Sequence, residues 1–166
     1  MSSTHSNSAP SDVAHLLNQC LGEMSEAVFA EEGTLDKFIG DAVLAVFGAP
    51  LAQADHAARA LRAAESMRRR MTELHLTPPV ELRIAINSGI ATVGDIGTPR
   101  RREYTVLGDV VNTCARLVSS ECAPGQILLT SGTRDRLDRA TSLRSVGCVT
   151  LRGRGAPVDV FAFDPP

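Results

Sequence analysis

The sequence has few aromatic residues and no long block of like charge. Only 4% of its 166 residues are aromatic and none is Trp, so it lacks the stacking surfaces that binders of single-stranded nucleic acid use. Lys and Arg number 17 against 19 Asp and Glu, for a formal net charge of −2, and no block of like charge is longer than Arg68–Arg70. This balance argues against nucleic acid or a membrane surface as a partner.

Cysteine is scarce and apolar runs are short. The four cysteines are far apart, form no CxxC pair and have no His at metal-ligand spacing, which predicts that they are small buried apolar residues in a reducing compartment. No apolar run approaches the roughly 20 residues of a membrane-spanning helix. The polar start of the chain does not match a signal peptide either. Together these features predict a cytoplasmic protein with no membrane segment in this chain.

The length and the 43% of hydrophobic residues are typical of one globular domain. The polar stretch 1–11 predicts a flexible lead, and 12–163 is expected to be the domain. Apolar residues recur at three- and four-residue spacing after the lead, which predicts a helix with one face in the core. The members of this stripe are Val13, Leu16, Leu17, Cys20, Leu21, Met24, Val28 and Phe29.

The remaining pattern alternates between short strands and helices. The runs 34–39 and 42–47, joined by Gly40-Asp41, predict a hairpin, and a second helix is expected over about 55–74. A further hairpin is predicted from 82–86 and 90–93, turning at Ser88-Gly89, followed by a loop over 94–102. The later predicted elements are a strand at 104–107, a helix from Gly108-Asp109, a strand at 127–129, a helix at 131–137 and strands at 145–151 and 158–163. This order predicts an α+β sandwich with helices covering one mostly antiparallel sheet.

Three features have chemical potential, although each has a structural alternative. Lys37 and Asp41 flank a hairpin turn, which is a common place for solvated charges. Asn112 and Arg116 lie four residues apart, so an amide and a guanidinium share one helix face, as an ordinary polar stripe also would. The stretch Arg152-Gly153-Arg154-Gly155 permits close approach of an anion or forms a plain turn.

Together these features suit a nucleoside triphosphate with Mg²⁺ or Mn²⁺. The sequence contains no GxxxxGK[ST] motif and no GxGxxG motif after a strand. P-loop and Rossmann nucleotide sites are therefore excluded.

The segments GTLDKFIGDAVLAVFGAP, LRIAINSGIATVGDIG and RREYTVLGDVVNTCARL resemble the catalytic domain of class III nucleotidyl cyclases, the adenylyl and guanylyl cyclases. The closing LRGRGAPVDVFAF is similar to the last hairpin of that family. The resemblance runs from about Asp12 to Phe163. It implies a ferredoxin-like α+β fold that dimerises head to tail, as a homodimer or a heterodimer, with active sites built from both chains.

The resemblance also implies which nucleotide is bound. Lys37 and Thr105 match the pair that contacts the purine, and Lys with Thr or Asp is the adenine-selecting combination, whereas guanylyl cyclases have Glu with Cys. A Lys donor and a hydroxyl suit N1 and the N6 amine of adenine. The implied substrate is ATP.

The catalytic residues follow in the same way. Asn112 matches the asparagine that orients the ribose, and Arg116 matches the arginine that stabilises charge at the α-phosphate. Arg152 occupies the position of a triphosphate-binding lysine, and Asp41 matches the second of two metal-binding aspartates, for Mg²⁺ or Mn²⁺. The implied enzyme is an adenylate cyclase that forms 3′,5′-cyclic AMP and pyrophosphate in intracellular signalling.

One family feature is absent from this sequence. The family's first strand, an apolar run ending in Phe-Ala-Asp-Ile and followed by Gly-Phe-Thr, carries the other metal aspartate and has no counterpart here. We therefore expect Met1 to be an internal methionine of a longer cyclase, and the chain alone to be weakly active or inactive. The alternatives are a non-catalytic partner that complements an intact cyclase domain, and a generic α+β binding domain.

Overall fold

A computed structural model describes residues 10–98 and 100–164. The predicted flexible lead lies outside the described residues except for Pro10 and Ser11, which begin the first helix. The helices of the described part are α1 (Pro10–Ala30), α2 (His56–Glu73), α3 (Asp109–Ser120) and α4 (Ser131–Arg134). Its strands are β1 (Thr34–Ile39), β2 (Ala42–Val46), β3 (Ile84–Ile86), β4 (Thr92–Thr98), β5 (Arg101–Leu107), β6 (Ile127–Thr130), β7 (Leu143–Val149) and β8 (Val158–Phe163).

The strands form three sheets, and the predicted α+β class with antiparallel pairing is confirmed. The largest sheet has the order β3-β6-β8-β7, in which only β3 and β6 run parallel. The antiparallel pairs β1–β2 and β4–β5 form two further sheets. The prediction of one continuous sheet is wrong for the described part, because no strand there pairs with both the β1–β2 hairpin and β3.

The predicted hairpin at Ser88-Gly89 is also wrong. Strand β3 pairs with β6, and β4 pairs with β5 from Thr92 opposite Leu107 to Thr98 opposite Arg101. Most of the predicted loop 94–102 is therefore strand. Its glycines disfavour a strand locally, but β-propensity depends on context and the cross-strand ladder outweighs it.

The core lies on both faces of the four-stranded sheet, because successive side chains of β6 point to opposite sides. Leu128 belongs to a cluster with Leu117 of α3, while Ile127 and Leu129 belong to a cluster with Leu61 of α2. The side chains of Leu117, Ile127, Leu128 and Leu129 are fully buried. This packing holds the apolar face of α3 against the sheet, so the polar face of the helix is available for other contacts.

Only the part of the predicted α1 stripe between Cys20 and Val28 reaches the core. Cys20, Met24 and Val28 are buried, whereas Val13 is 54% exposed and Phe29 53% exposed. In the described part α1 packs on α2 and the β1–β2 hairpin, and this packing includes Cys20 and Met24 but not the first turns of the helix. No helix among the described residues combines the length and apolar character needed to cross a bilayer.

Candidate active site

Strand β1 contains an irregularity next to Lys37. Leu35 pairs with Ala45 and Lys37 pairs with Leu44, so Asp36 is an extra residue with no partner in the β1–β2 register. Such a bulge redirects side chains locally. As a result, two consecutive residues, Asp36 and Lys37, both make contacts with β5.

These contacts define a strand group made of Asp36, Lys37, Glu103 and Thr105. The Thr105 hydroxyl donates a hydrogen bond of 2.9 Å to Oδ2 of Asp36. Nζ of Lys37 lies 3.7 Å from Oε2 of Glu103. Glu103 and Thr105 are two residues apart on β5 and therefore share a face.

Space is available beside the Thr105 side chain. The residue opposite Thr105 on β4 is Gly94, and a Cβ built there meets no atom within 4 Å. Asp36 and Thr105 also line a small cavity of about 20 Å³, which is room for one water and too little for a nucleobase. Oδ1 of Asp36 is buried and has no hydrogen-bond donor among the described residues.

A helix group consists of Asn112, Arg116, Arg152 and Arg154. Asn112 is exposed and Arg116 half-buried, one turn apart on α3. Arg152 is exposed in the turn before β8. Within the described residues, the side chains of Asn112, Arg116 and Arg152 make no hydrogen bond or ion pair, although the hydroxyls of Ser119 and Ser120 donate to the backbone carbonyl of Arg116.

Arg154 attaches the turn before β8 to α3. Its Nη1 donates a 2.9 Å hydrogen bond to Oγ1 of Thr113, which is fully buried, and its Nη2 lies 3.3 Å from Oδ2 of Asp109. Gly153 has φ of +73°, and a Cβ there would lie 3.5 Å from Nη2 of Arg116. The backbone between the two arginines of the turn therefore lies directly against the Arg116 guanidinium.

Side-chain hydrogen bonds fix α3 to the sheet. Nδ2 of Asn87 donates to the carbonyl of Val110 at 2.8 Å, and the hydroxyl of Thr130 donates to Oδ1 of Asn87 at 2.6 Å. Farther along α3, Sγ of Cys114 donates to the carbonyl of Ala85 at 3.0 Å. Burial raises the pKa of the Cys114 thiol to about 11, so it remains protonated near neutral pH.

Asp41 stands apart from these contacts. It is exposed at the tip of the β1–β2 hairpin and makes no hydrogen bond or ion pair with other described residues. No three potential metal ligands converge anywhere within 10–98 and 100–164. The described residues do not by themselves fit a complete Mg²⁺ or Mn²⁺ site, so we assign no reaction step to a metal held by them, and the metal role of Asp41 remains a prediction.

The structure thus groups the sequence-predicted residues in two places. Lys37 and Thr105 belong to the strand group, while Asn112, Arg116 and Arg152 belong to the helix group. Asp36 and Glu103 were not among the residues predicted from the sequence, and Arg154 was predicted only as part of the motif Arg152-Gly153-Arg154-Gly155. Their positions in DKFIGD, RREYT and RGRG are the signals that point to them.

The chain belongs to the family of adenylate and guanylate cyclase catalytic domains, whose family model matches residues 1–163. It is 31% identical over 160 residues to "Adenylate cyclase 1" of Rhizobium meliloti (strain 1021), a match that covers 92% of this chain and 24% of that protein. Relatives from mycobacteria are 34% identical and are likewise matched over 26–28% of their length. The chain therefore spans about a quarter of the curated relatives it matches.

Solved structures confirm the fold. The adenylyl cyclase CyaB from P. aeruginosa superimposes with a TM-score of 0.90 at 32% identity, covering 96% of this chain and 85% of that one. The guanylyl cyclase Cya2 gives a TM-score of 0.77 at 34% identity, with 96% and 84% covered. Because the similar structures include both an adenylyl and a guanylyl cyclase, similarity alone does not identify the purine.

Proposed function

We propose that the chain is an adenylyl cyclase-type catalytic domain that converts ATP to 3′,5′-cyclic AMP and pyrophosphate in intracellular signalling. The observation that carries the choice of ATP is the strand group, which contains Lys37 of β1 and Thr105 of β5. These two strands belong to different hairpins and contact each other. Thr105 lies opposite a glycine that leaves space beside it.

The chemistry of these two side chains favours adenine. Lysine is a pure hydrogen-bond donor and suits the N1 acceptor of adenine, while a hydroxyl oxygen accepts from the N6 amine. Guanine presents the opposite polarity, with an O6 acceptor and an N1 donor. A Lys and Thr pair therefore satisfies adenine at both positions.

The helix group supplies the groups for the reaction itself. The ribose 3′-oxygen attacks the α-phosphorus in line, a new O3′–P bond forms, the bond from the α-phosphorus to the bridging oxygen breaks, and pyrophosphate leaves. The 3′-hydroxyl proton passes to solvent. Asn112 orients the ribose, Arg116 stabilises the negative charge that grows at the α-phosphate, and Arg152 binds the leaving phosphates.

We propose that the chain works as a dimer. Within the described residues, no hydrogen bond or ion pair joins the strand group to the helix group. A head-to-tail arrangement would place the strand group of one chain opposite the helix group of another, in a homodimer or a heterodimer. Mg²⁺ or Mn²⁺ would then need further ligands besides Asp41.

A second candidate is a non-catalytic partner that complements an intact cyclase domain. It is favoured by Asp41 being the single predicted metal ligand, because binding of a hard cation depends on several converging oxygens. For the same reason we expect the chain alone to be a weak catalyst.

The test is cyclic AMP formation by the purified chain with ATP and Mn²⁺, beside Asp41→Ala and a parallel assay with GTP. We expect slow cyclic AMP formation that the substitution abolishes. The second candidate would be favoured if activity appears only after mixing with another cyclase domain that is complete except that its own catalytic Asn and Arg have been substituted. Cyclic GMP as the main product would contradict the adenine assignment, and no product in either format would reject both functions.

A further inference from the structure

The strand group contains two residues to which the proposed reaction gives no role, Asp36 and Glu103. Asp36 is the bulge residue of β1, and its carboxylate holds the hydroxyl of Thr105 at 2.9 Å. We infer that Asp36 is a positioning residue that fixes the hydrogen-bond polarity of Thr105 and thereby selects adenine over guanine. This inference rests on the proposed function.

The first step concerns the single proton of the Thr105 hydroxyl. A threonine hydroxyl has one proton to donate and two lone pairs that accept. An ionised carboxylate can only accept, so the proton must point toward Asp36 when the two are hydrogen-bonded. The hydroxyl of Thr105 then has no proton for a second partner.

The consequence is a hydroxyl that is an acceptor toward any ligand. The N6 amine of adenine is a donor and satisfies it, whereas O6 of guanine is an acceptor and leaves two lone pairs facing each other. Without Asp36 the hydroxyl is free to rotate and can serve either base. The discrimination between adenine and guanine by Thr105 therefore depends on Asp36.

Burial supports a role beyond structure. Thr105 is only 8% exposed, and Oδ1 of Asp36 is buried without a donor among the described residues. A buried polar atom without a partner destabilises a fold. Holding Thr105 in place requires a single acceptor, which a neutral amide or hydroxyl would provide without burying a second carboxylate oxygen. The property that only the carboxylate has is the inability to donate.

The test substitutes Asp36→Asn, which keeps the shape but offers an amide that can donate to Thr105. Binding of ATP and of GTP is measured by titration calorimetry, and cyclisation rates are measured with both nucleotides. We expect the preference for ATP over GTP to fall about tenfold, which corresponds to the loss of one polarity-matched hydrogen bond. In a Thr105→Val background the same substitution should change the preference no further, because the two residues act as a unit.

Asp12→Asn is the matched control, because it makes the same carboxylate-to-amide change at an exposed residue of α1 outside the strand group and the helix group. It should leave the preference within about twofold. Asp36→Ser serves as a second variant if the asparagine variant unfolds, since serine can also donate and should lower the preference in the same way.

The outcomes separate the inference from the proposed function. If the wild-type chain prefers ATP and both Asp36 variants keep that preference, the inference is wrong and the function stands. If Asp36→Asn lowers the preference equally in the Thr105→Val background, Asp36 does not act through Thr105 and the inference is also wrong. If the wild-type chain binds and cyclises neither nucleotide, the proposed function fails and the inference fails with it.

Discussion

The strand group and the helix group differ in how their polar side chains are held. Thr105 and Lys37 already have partners in Asp36 and Glu103. By contrast, only Arg154 of the helix group has side-chain partners, Thr113 and Asp109. The side chains of Asn112, Arg116 and Arg152 have none among the described residues, and there it is the backbone that is fixed. The two halves of the candidate site are therefore organised on different principles.

The difference matches what each half would recognise under the proposed function. Two purines differ in the direction of a few hydrogen bonds, so their discrimination needs donors and acceptors of fixed polarity. A triphosphate carries a large charge on many equivalent oxygens, and guanidinium groups bind it in more than one geometry. Fixed side chains suit the first task, and a fixed helix with adaptable cations suits the second.

The largest expected effect on this difference between the two groups is that of Arg116→Ala. Because its guanidinium makes no protein hydrogen bond or ion pair in the described part, we expect cyclic AMP formation to fall about 100-fold while the free energy of unfolding changes little. Initial rates and urea unfolding curves measure the two effects. A large loss of stability would contradict the picture of a side chain reserved for the ligand.

The next largest effect is expected for Arg154→Ala. It leaves the hydroxyl of the fully buried Thr113 without its partner and frees the turn from α3, so we expect unfolding to become easier by about 1–3 kcal/mol and KM for ATP to rise. Arg152→Ala is the matched variant, and it should raise KM without lowering stability, because Arg152 is exposed and unpartnered within the described residues. Equal stability losses in both variants would show that Arg154 does not anchor the turn.

A smaller effect tests how α3 is fixed to the sheet. The folded-state pKa of Cys114 is about 11, above the ordinary 9.0. The folded chain therefore keeps a proton that the unfolded chain loses, and the thiol's contribution is fully present below pH 9 and is lost as the pH rises toward about 11. Over this pH window, the melting temperature of the wild type should fall by a few degrees more than that of Cys114→Ala. Equal decreases of the melting temperature in the two proteins would contradict a raised pKa of Cys114 in the folded chain.

The smallest effect is expected for Glu103→Gln. Its ion pair with Lys37 joins side chains that are 37% and 50% exposed, and such pairs contribute about 0–1 kcal/mol. We expect KM for ATP to change by less than about twofold, and the residual effect to disappear in high salt. A much larger effect would indicate that Glu103 contacts the nucleotide or fixes Lys37 for it.

Local patterns in the sequence predicted the fold class and the shared helix face of Asn112 and Arg116, whereas Lys37 and Thr105 were paired only by the family resemblance. Alternating runs marked β1 and β2, and the four-residue spacing marked Asn112 and Arg116 on one helix face. The prediction failed at Ser88-Gly89, since a turn signal does not reveal that β3 pairs in parallel with β6, where Ile84 lies opposite Ile127, 43 residues farther along. Nonlocal pairing of this kind is set by the packing of the whole sheet.

Two features of the site were beyond prediction for a similar reason. The bulge at Asp36 depends on which residue of β2 pairs with Lys37, and a one-residue difference in register is invisible in an alternating sequence. The role of Arg154 depends on the distance of α3 from the turn before β8. Both arise from tertiary contacts between segments that are far apart in sequence.

The bulge in β1 also has an evolutionary consequence. Because Leu35 and Lys37 pair with consecutive residues of β2, Asp36 can be gained or lost as a single codon without shifting the register of the rest of the hairpin. A deletion of Asp36 would keep Lys37 on the same face and remove only the carboxylate behind Thr105. If Asp36 selects the base as we infer, insertion or deletion of this one residue would change the base preference while the strands around it keep their pairing.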